Sequence, residues 1–176
     1  MLLPEKLFHA YFYSMSLHKV FILLGSNQGQ RKQFLQKAIR LMEERCGSIS
    51  NKSSIYETAA WGQTKQAAFL NKVIVLQTSL SADELMKTLL QIEQELGRIR
   101  TEKYGPRTID LDILFYDDLI YHSAIVTLPH PAIQDRRFVL IPLTELSPGK
   151  VHPVYKKTIT TLLKECADEL AVKKLA

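Results

Sequence analysis

An α+β fold is predicted by three observations on this sequence. Short β-rich runs and segments of helical spacing follow one another in the order β-α-β-β-α-β. Turn and cap signals separate them. The last of the runs alternates acidic and aliphatic residues with period two. That order is the split-βαβ, ferredoxin-like arrangement: a mostly antiparallel sheet with helices packed on one face. A C-terminal helical extension is expected beyond it.

Each element has its own signal. Residues 19–25 form a β-rich run (Val20, Phe21, Ile22, Leu23, Leu24) stopped by Gly25, Ser26 and Asn27. Residues 30–45 place Phe34, Leu35, Ala38, Ile39, Leu41 and Met42 on one stripe at helical spacing, and Cys46-Gly47 ends it. Residues 49–57 read as a second strand and 58–68 as a loop. Residues 69–78 (FLNKVIVLQT) are a strong strand. Ser81 with Glu84 three positions on has capping-box spacing, and Gly97 fits the helix stop. The loop 98–107 leads into a strand over 108–116. Beyond it come a strand at 119–126, a loop bounded by Pro129 and Pro131, a short apolar helix over 138–146 and a last helix from about Lys157.

The chain has 176 residues, enough for one domain with a real core, expected over 19–176. Residues 1–18 read as an N-terminal extension outside that core, and Met15 stands just ahead of the first strand. They lack the uninterrupted apolar stretch and small-residue cleavage site of a secretory signal. No run is long enough for a membrane span. Hydrophobic residues make up 46% and charged residues 23%, with a net charge of +5 that suits an anionic partner. Cys46 and Cys166 are the only cysteines and show no CxxC or short spacing, so neither a disulfide framework nor a zinc site is expected and a reducing cytoplasm is; a monomer is the default expectation. His9, His18, His122 and His152 follow no pattern and read as surface residues.

The chemistry concentrates in GPRTIDLDILF, residues 105–115. On a strand, Asp110 and Asp112 project to one side, and Ile109, Leu111 and Ile113 to the other. Alternating Asp and aliphatic residues also suit a half-buried strand with a solvated face. Adjacent carboxylates repel, however, and a divalent cation offsets that; Mg²⁺ typically takes one or two carboxylates plus substrate phosphates. Arg98, Arg100, Lys103 and Arg107 precede the pair, and guanidinium groups grip phosphate oxygens in bidentate fashion. Both halves of a metal–polyphosphate site therefore lie in one segment.

Seven motifs appear in order: GSN at 25–27, YET at 56–58, FLN at 69–71, LGRIR at 96–100, GPRTIDLDIL at 105–114, LPHP at 128–131 and RRFVLIPL at 136–143. Together, over roughly 19–165, they resemble the 6-hydroxymethyl-7,8-dihydropterin pyrophosphokinase family of folate biosynthesis. The resemblance implies transfer of pyrophosphate from ATP to the pterin hydroxymethyl group, giving AMP and the pterin diphosphate. It implies Asp110 and Asp112 as holders of two Mg²⁺ ions, with Arg98 and Arg107 on the phosphates and catalytic. Glu93, Arg100, Thr127, His130 and Arg136 are implied on the nucleotide side. Thr58, Trp61, Gly62, Phe69, Asn71 and Phe138 are implied around the pterin, with Asn71 reading its edge and the aromatics stacking on it. The sequence departs from some relatives at Tyr104, Pro131, Leu90 and Ala59-Ala60, none of which is among the acids or Arg107.

Three rivals remain to be weighed. An RNA-binding module on the same fold needs exposed aromatics in an RNP pattern, and these strands are aliphatic. A Walker-type nucleotidase needs Gly-Lys-Ser/Thr, which GSNQGQ lacks. A non-catalytic sensor would not need the complete acid and arginine set. ATP and the pterin, with no nucleic acid and no membrane, are thus the expected partners.

Overall fold

The computed structural model describes residues 17–60, 66–99 and 105–175. Strand β1 (His18–Ser26) leads into helix α1 (Arg31–Arg45), whose Leu35, Ala38 and Met42 are buried as the stripe requires. Gly47 ends that helix with a φ of +136°. A Cβ there would stand 2.1 Å from the Gln77 carbonyl oxygen, so only glycine lets the chain turn this close to its neighbour. Strands β2 (Ser48–Lys52) and β3 (Tyr56–Thr58) follow, then β4 (Phe69–Thr78), α2 (Ala82–Glu95) and β5 (Asp110–Tyr116). The capping box forms: Ser81 accepts from the Glu84 N–H, and the Glu84 carboxylate accepts from the Ser81 N–H.

The second strand, expected as one piece over 49–57, is broken. β2 and β3 pair separately with β4, and the residues between them leave the ladder. Ser53 makes the break tolerable. It is buried, its N–H donates to the Val73 carbonyl (2.9 Å), and its Oγ accepts the Val73 N–H (3.0 Å). A side chain thus satisfies a backbone donor that the missing strand residue cannot.

The sheet runs β5-β1-β4-β3, antiparallel throughout, as the ferredoxin-like order demands. α1 and α2 cover one face, packing on Val20, Ile22, Leu24, Leu111 and Ile113. The two helices of the ferredoxin-like order thus share one face, as expected. α3 (Arg137–Leu146) and α4 (Ile159–Glu165) lie on the opposite face against Phe21, Leu23, Val73 and Val75. The C-terminal helices are a second covering layer.

Three smaller differences concern the region after β5. The single strand expected over 119–126 is a two-stranded hairpin, β6 (Tyr121–His122) with β7 (Thr127–Leu128). α4 begins later than Lys157, at Ile159, because the Thr158 side chain caps it by accepting from the Thr161 N–H. After it the chain returns as β8 (Val172–Lys174), an unforeseen strand that pairs with β3 and closes that edge. Among the described residues, no helix is long and apolar enough to cross a membrane.

Candidate active site

Strand register builds the site on the face that carries α3 and α4. Asp110 lies opposite Gly25, and Gly25 lies opposite Asn71. Asp112 lies opposite Leu23 on the same face, while Leu111 and Ile113 enter the other core, so the period-two expectation holds. Between Asp110 and Asn71 there is no side chain, only the backbone of Gly25. A Cβ at Gly25 would sit 3.3 Å from the Asn71 Oδ1 and 3.8 Å from the Asp110 Cβ. The strip above it is one floor of a cleft of about 980 Å³.

The acidic end is tightly paired. The Arg98 guanidinium donates to the Glu93 and Asp110 carboxylates together. Arg107 donates to the second Asp110 oxygen at 2.8 Å. Glu93, buried in α2, also accepts the Leu111 N–H at 2.7 Å and so ties the helix to β5. Its carboxylate borders the cleft, but these bonds give it an orienting place behind Arg98. Burial, then the neighbouring Asp110 and Glu93 charges, push the Asp112 carboxyl up to about 7; Arg136 and Arg98 oppose this. Among the described residues no three His, Cys, Asp or Glu side chains are grouped to hold a metal ion.

The amide end is pre-shaped. Asn71 is buried and its Nδ2 donates to the Thr58 Oγ at 2.8 Å, which leaves Oδ1 over Gly25. Thr58 and Phe69 face each other across β3 and β4. The Arg107 guanidinium lies 5.4 Å from the Phe69 ring centre and the Arg136 guanidinium 5.9 Å from that of Phe138. Both distances suit cation–π contact. His130 borders the cleft with its pKa lowered to about 4 by burial and by the Arg136 charge. Its Nδ1 accepts the Ala132 N–H at 3.2 Å, so the neutral ring carries its proton on Nε2.

The structure therefore brings Glu93, Arg98, Arg107, Asp110, Asp112, His130 and Arg136 together with Thr58, Phe69, Asn71 and Phe138. Thr127 is different. It is exposed, its Oγ bonds to the His122 ring at 2.8 Å, and it lines a neighbouring hollow instead. Trp61, Gly62, Arg100 and Tyr104 lie outside the described residues. His152 corrects the surface assignment: it is 1% exposed, with Nδ1 accepting from Val154 and Tyr155. Gly25 and Asn27 carry much of the geometry, although in the sequence they read only as the stop of the first strand and part of a motif. The signal was the GSN motif itself, at the end of a buried strand.

The sequence family described as 7,8-dihydro-6-hydroxymethylpterin-pyrophosphokinase matches residues 21–148. The chain belongs to that family. Relatives agree. A 2-amino-4-hydroxy-6-hydroxymethyldihydropteridine pyrophosphokinase of Aquifex aeolicus is 41% identical, covering 80% of this chain and 87% of its own. That of Bacillus subtilis is 42% identical over 72% of this chain and 76% of its own. A folic acid synthesis protein of Schizosaccharomyces pombe is 40% identical over 82% of this chain, which spans only 21% of that protein. Among solved structures, a Plasmodium falciparum HPPK-DHPS chain has the same fold, with a TM-score of 0.72 at 16% identity. It covers 85% of this chain, which spans 45% of it. The pyrophosphokinase family motif GPRTIDLDIL thus coincides with the acidic end of the cleft.

Proposed function

We propose that the chain transfers the β,γ-pyrophosphoryl group of ATP to the hydroxymethyl group of 6-hydroxymethyl-7,8-dihydropterin, a step of folate biosynthesis. The observation that carries this reading is the row Asp110, Gly25, Asn71 across three neighbouring strands. A polyphosphate-binding end and a heterocycle-reading end are joined there by a side-chain-free floor. In the reaction the hydroxymethyl oxygen bonds to the β-phosphorus, the bond to the α-phosphoryl oxygen breaks, and AMP leaves. The hydroxyl proton is released.

Asp110 and Asp112 are the fitting holders for divalent cations. Burial first, and the neighbouring Asp110 and Glu93 charges second, make an ionised Asp112 unfavourable in the ligand-free cleft; a cation would offset both, and two carboxylates with phosphate oxygens suit Mg²⁺. When bound, such ions neutralise phosphate charge and acidify the attacking hydroxyl. A magnesium requirement, two ions, a monomer and a cytoplasmic setting belong to this reading.

The residues supply positioning and charge. Arg98 and Arg107 would exchange Asp110 for phosphate oxygens and stabilise the charge that builds in transfer. His130 would donate from Nε2 to the nucleotide, and Arg136 would add positive charge. The Asn71 Oδ1 would accept from the pterin edge, with Phe69 and Phe138 flanking the ring. Met86, Leu90 and Ile125 give the cleft an apolar end suited to a flat base. Product analysis tests the reading: AMP should form only with both the pterin and Mg²⁺, and ADP as the product would overturn it. Asp112→Asn should lower turnover by at least about 10²-fold, as removal of a charge-stabilising group does. A near wild-type rate would remove Asp112 from the machinery.

A further inference from the structure

Arg31 is the first residue of α1, and the helix itself gives no reason for a cation there. The first turn holds no acidic residue, and Gln30 makes no side-chain cap. A positive charge at a helix N-terminus opposes the macrodipole. The guanidinium is used elsewhere. Its Nη1 donates to the Glu57 carboxylate at 2.9 Å and to the Ala68 carbonyl at 2.7 Å. One nitrogen thus joins a side chain of β3 to the backbone just before β4. Both bonds are charge-assisted, the stronger kind of hydrogen bond.

The place they hold is the least supported part of the cleft floor. The ladder between β1 and β4 stops at Ser26 and Leu70, so Phe69 lies one residue beyond it. The ladder between β3 and β4 has three pairs, and Thr58 with Phe69 is its outermost. Strand ends open at little free-energy cost unless something else ties them. Arg31 supplies such a tie: it satisfies the carbonyl that precedes Phe69 and grips the residue that precedes Thr58. Glu57 lies opposite Leu70, which enters the core under α1 and α2, so Arg31 works on the reverse face of the sheet. Thr58, Phe69 and Asn71 line the cleft on the other face, and Thr58 accepts the Asn71 Nδ2 bond. We propose that Arg31 is a positioning residue for the pterin: without touching it, Arg31 fixes the Thr58–Phe69 end of the sheet and with it the surfaces that receive the ring. This deepens the functional reading above and rests on it.

The test measures hydroxymethylpterin binding by calorimetry, on enzyme saturated with Mg²⁺ and a methylene-bridged (α,β) ATP analogue. The affinity of the analogue itself is measured separately. Arg31→Ala should weaken the pterin about tenfold, the cost of a small misplacement of its supports, and leave the analogue at its wild-type affinity. In turnover, KM for the pterin should rise by a similar factor while kcat changes far less. Arg31→Lys, which keeps the charge and a donor, should recover part of the loss. Glu57→Gln should weaken the pterin in the same selective way, and it carries the test if Arg31→Ala fails to fold. Arg45→Ala is the control: it removes an ion pair to Glu95 (2.7 Å) at the far end of the same helix and should leave both affinities unchanged. Unchanged pterin affinity in Arg31→Ala or, where that variant does not fold, in Glu57→Gln overturns the proposal. So does equal weakening of pterin and analogue, or a loss in Arg45→Ala as large as in Arg31→Ala. Wild-type protein that binds the analogue but no pterin overturns the functional reading itself, whatever the variants do.

Discussion

Asp112 sets a pH dependence of stability whose sign follows from its environment. In the unfolded chain it ionises at its ordinary value of about 3.9, and in the ligand-free fold at about 7. Between those values the folded state binds more protons, so stability should fall as pH rises through that window. Asp112→Asn removes the contribution. Thermal unfolding without metal should show a smaller drop in Tm between pH 5 and 8 for the variant, and an equal drop would refute the assignment. The same variant is expected to be inactive, so stability and turnover should move in opposite directions. Gly25→Ala makes a second test. Its Cβ meets Asn71 at 3.3 Å, and a shift of a few tenths of an ångström in a positioning amide should lower kcat/KM about tenfold, chiefly through KM for the pterin. Unchanged pterin kinetics would remove the bare floor from the account. Arg98, Arg107, Asp110 and Asp112 were legible because they lie in one short segment of the chain. Gly25 and Asn71 become their neighbours only through strand register, which no local spacing encodes.

Ser53 shows how an element boundary can depend on a tertiary bond. Ser53→Ala leaves the buried Val73 N–H without its acceptor and should destabilise the fold by about 1–3 kcal/mol. Urea unfolding measures it; a change near zero would mean the break in the strand does not rest on that hydroxyl. Nothing in the residues 49–57 announces the break, because the compensating partner comes from β4. The elements with a full period or a cap motif are legible in the sequence: β1, α1, β4, α2 and β5. β8 has three residues, too few to display any alternation. The second helical layer, by contrast, had a signal. The uninterrupted apolar run 20–24 requires cover on both faces of β1, which helices on one face cannot give. The burial of Phe21 and Leu23 against α3 and α4 follows from it.

At the scale of the whole molecule, the C-terminal segment closes the sheet beside β3, whose Thr58 lines the amide end of the cleft. β8 pairs with β3, and the Leu175 N–H donates to the Ile55 carbonyl at 2.9 Å. Glu145 of α3 fastens the same corner by accepting from Tyr56 at 2.8 Å and from Ser54. Removing residues 170–176 should speed amide exchange at Tyr56–Thr58 and weaken the pterin more than the nucleotide. Equal weakening of both would point to general loosening of the sheet. The clasp of Arg98 and Arg107 around Asp110 has a last consequence. A lone anion arriving from solution finds both cationic forks already engaged, and a lone metal ion finds that acid engaged as well. A ligand bringing both signs of charge can satisfy every group it displaces. Inorganic phosphate alone and metal alone should therefore each bind more weakly here than a metal–polyphosphate pair does.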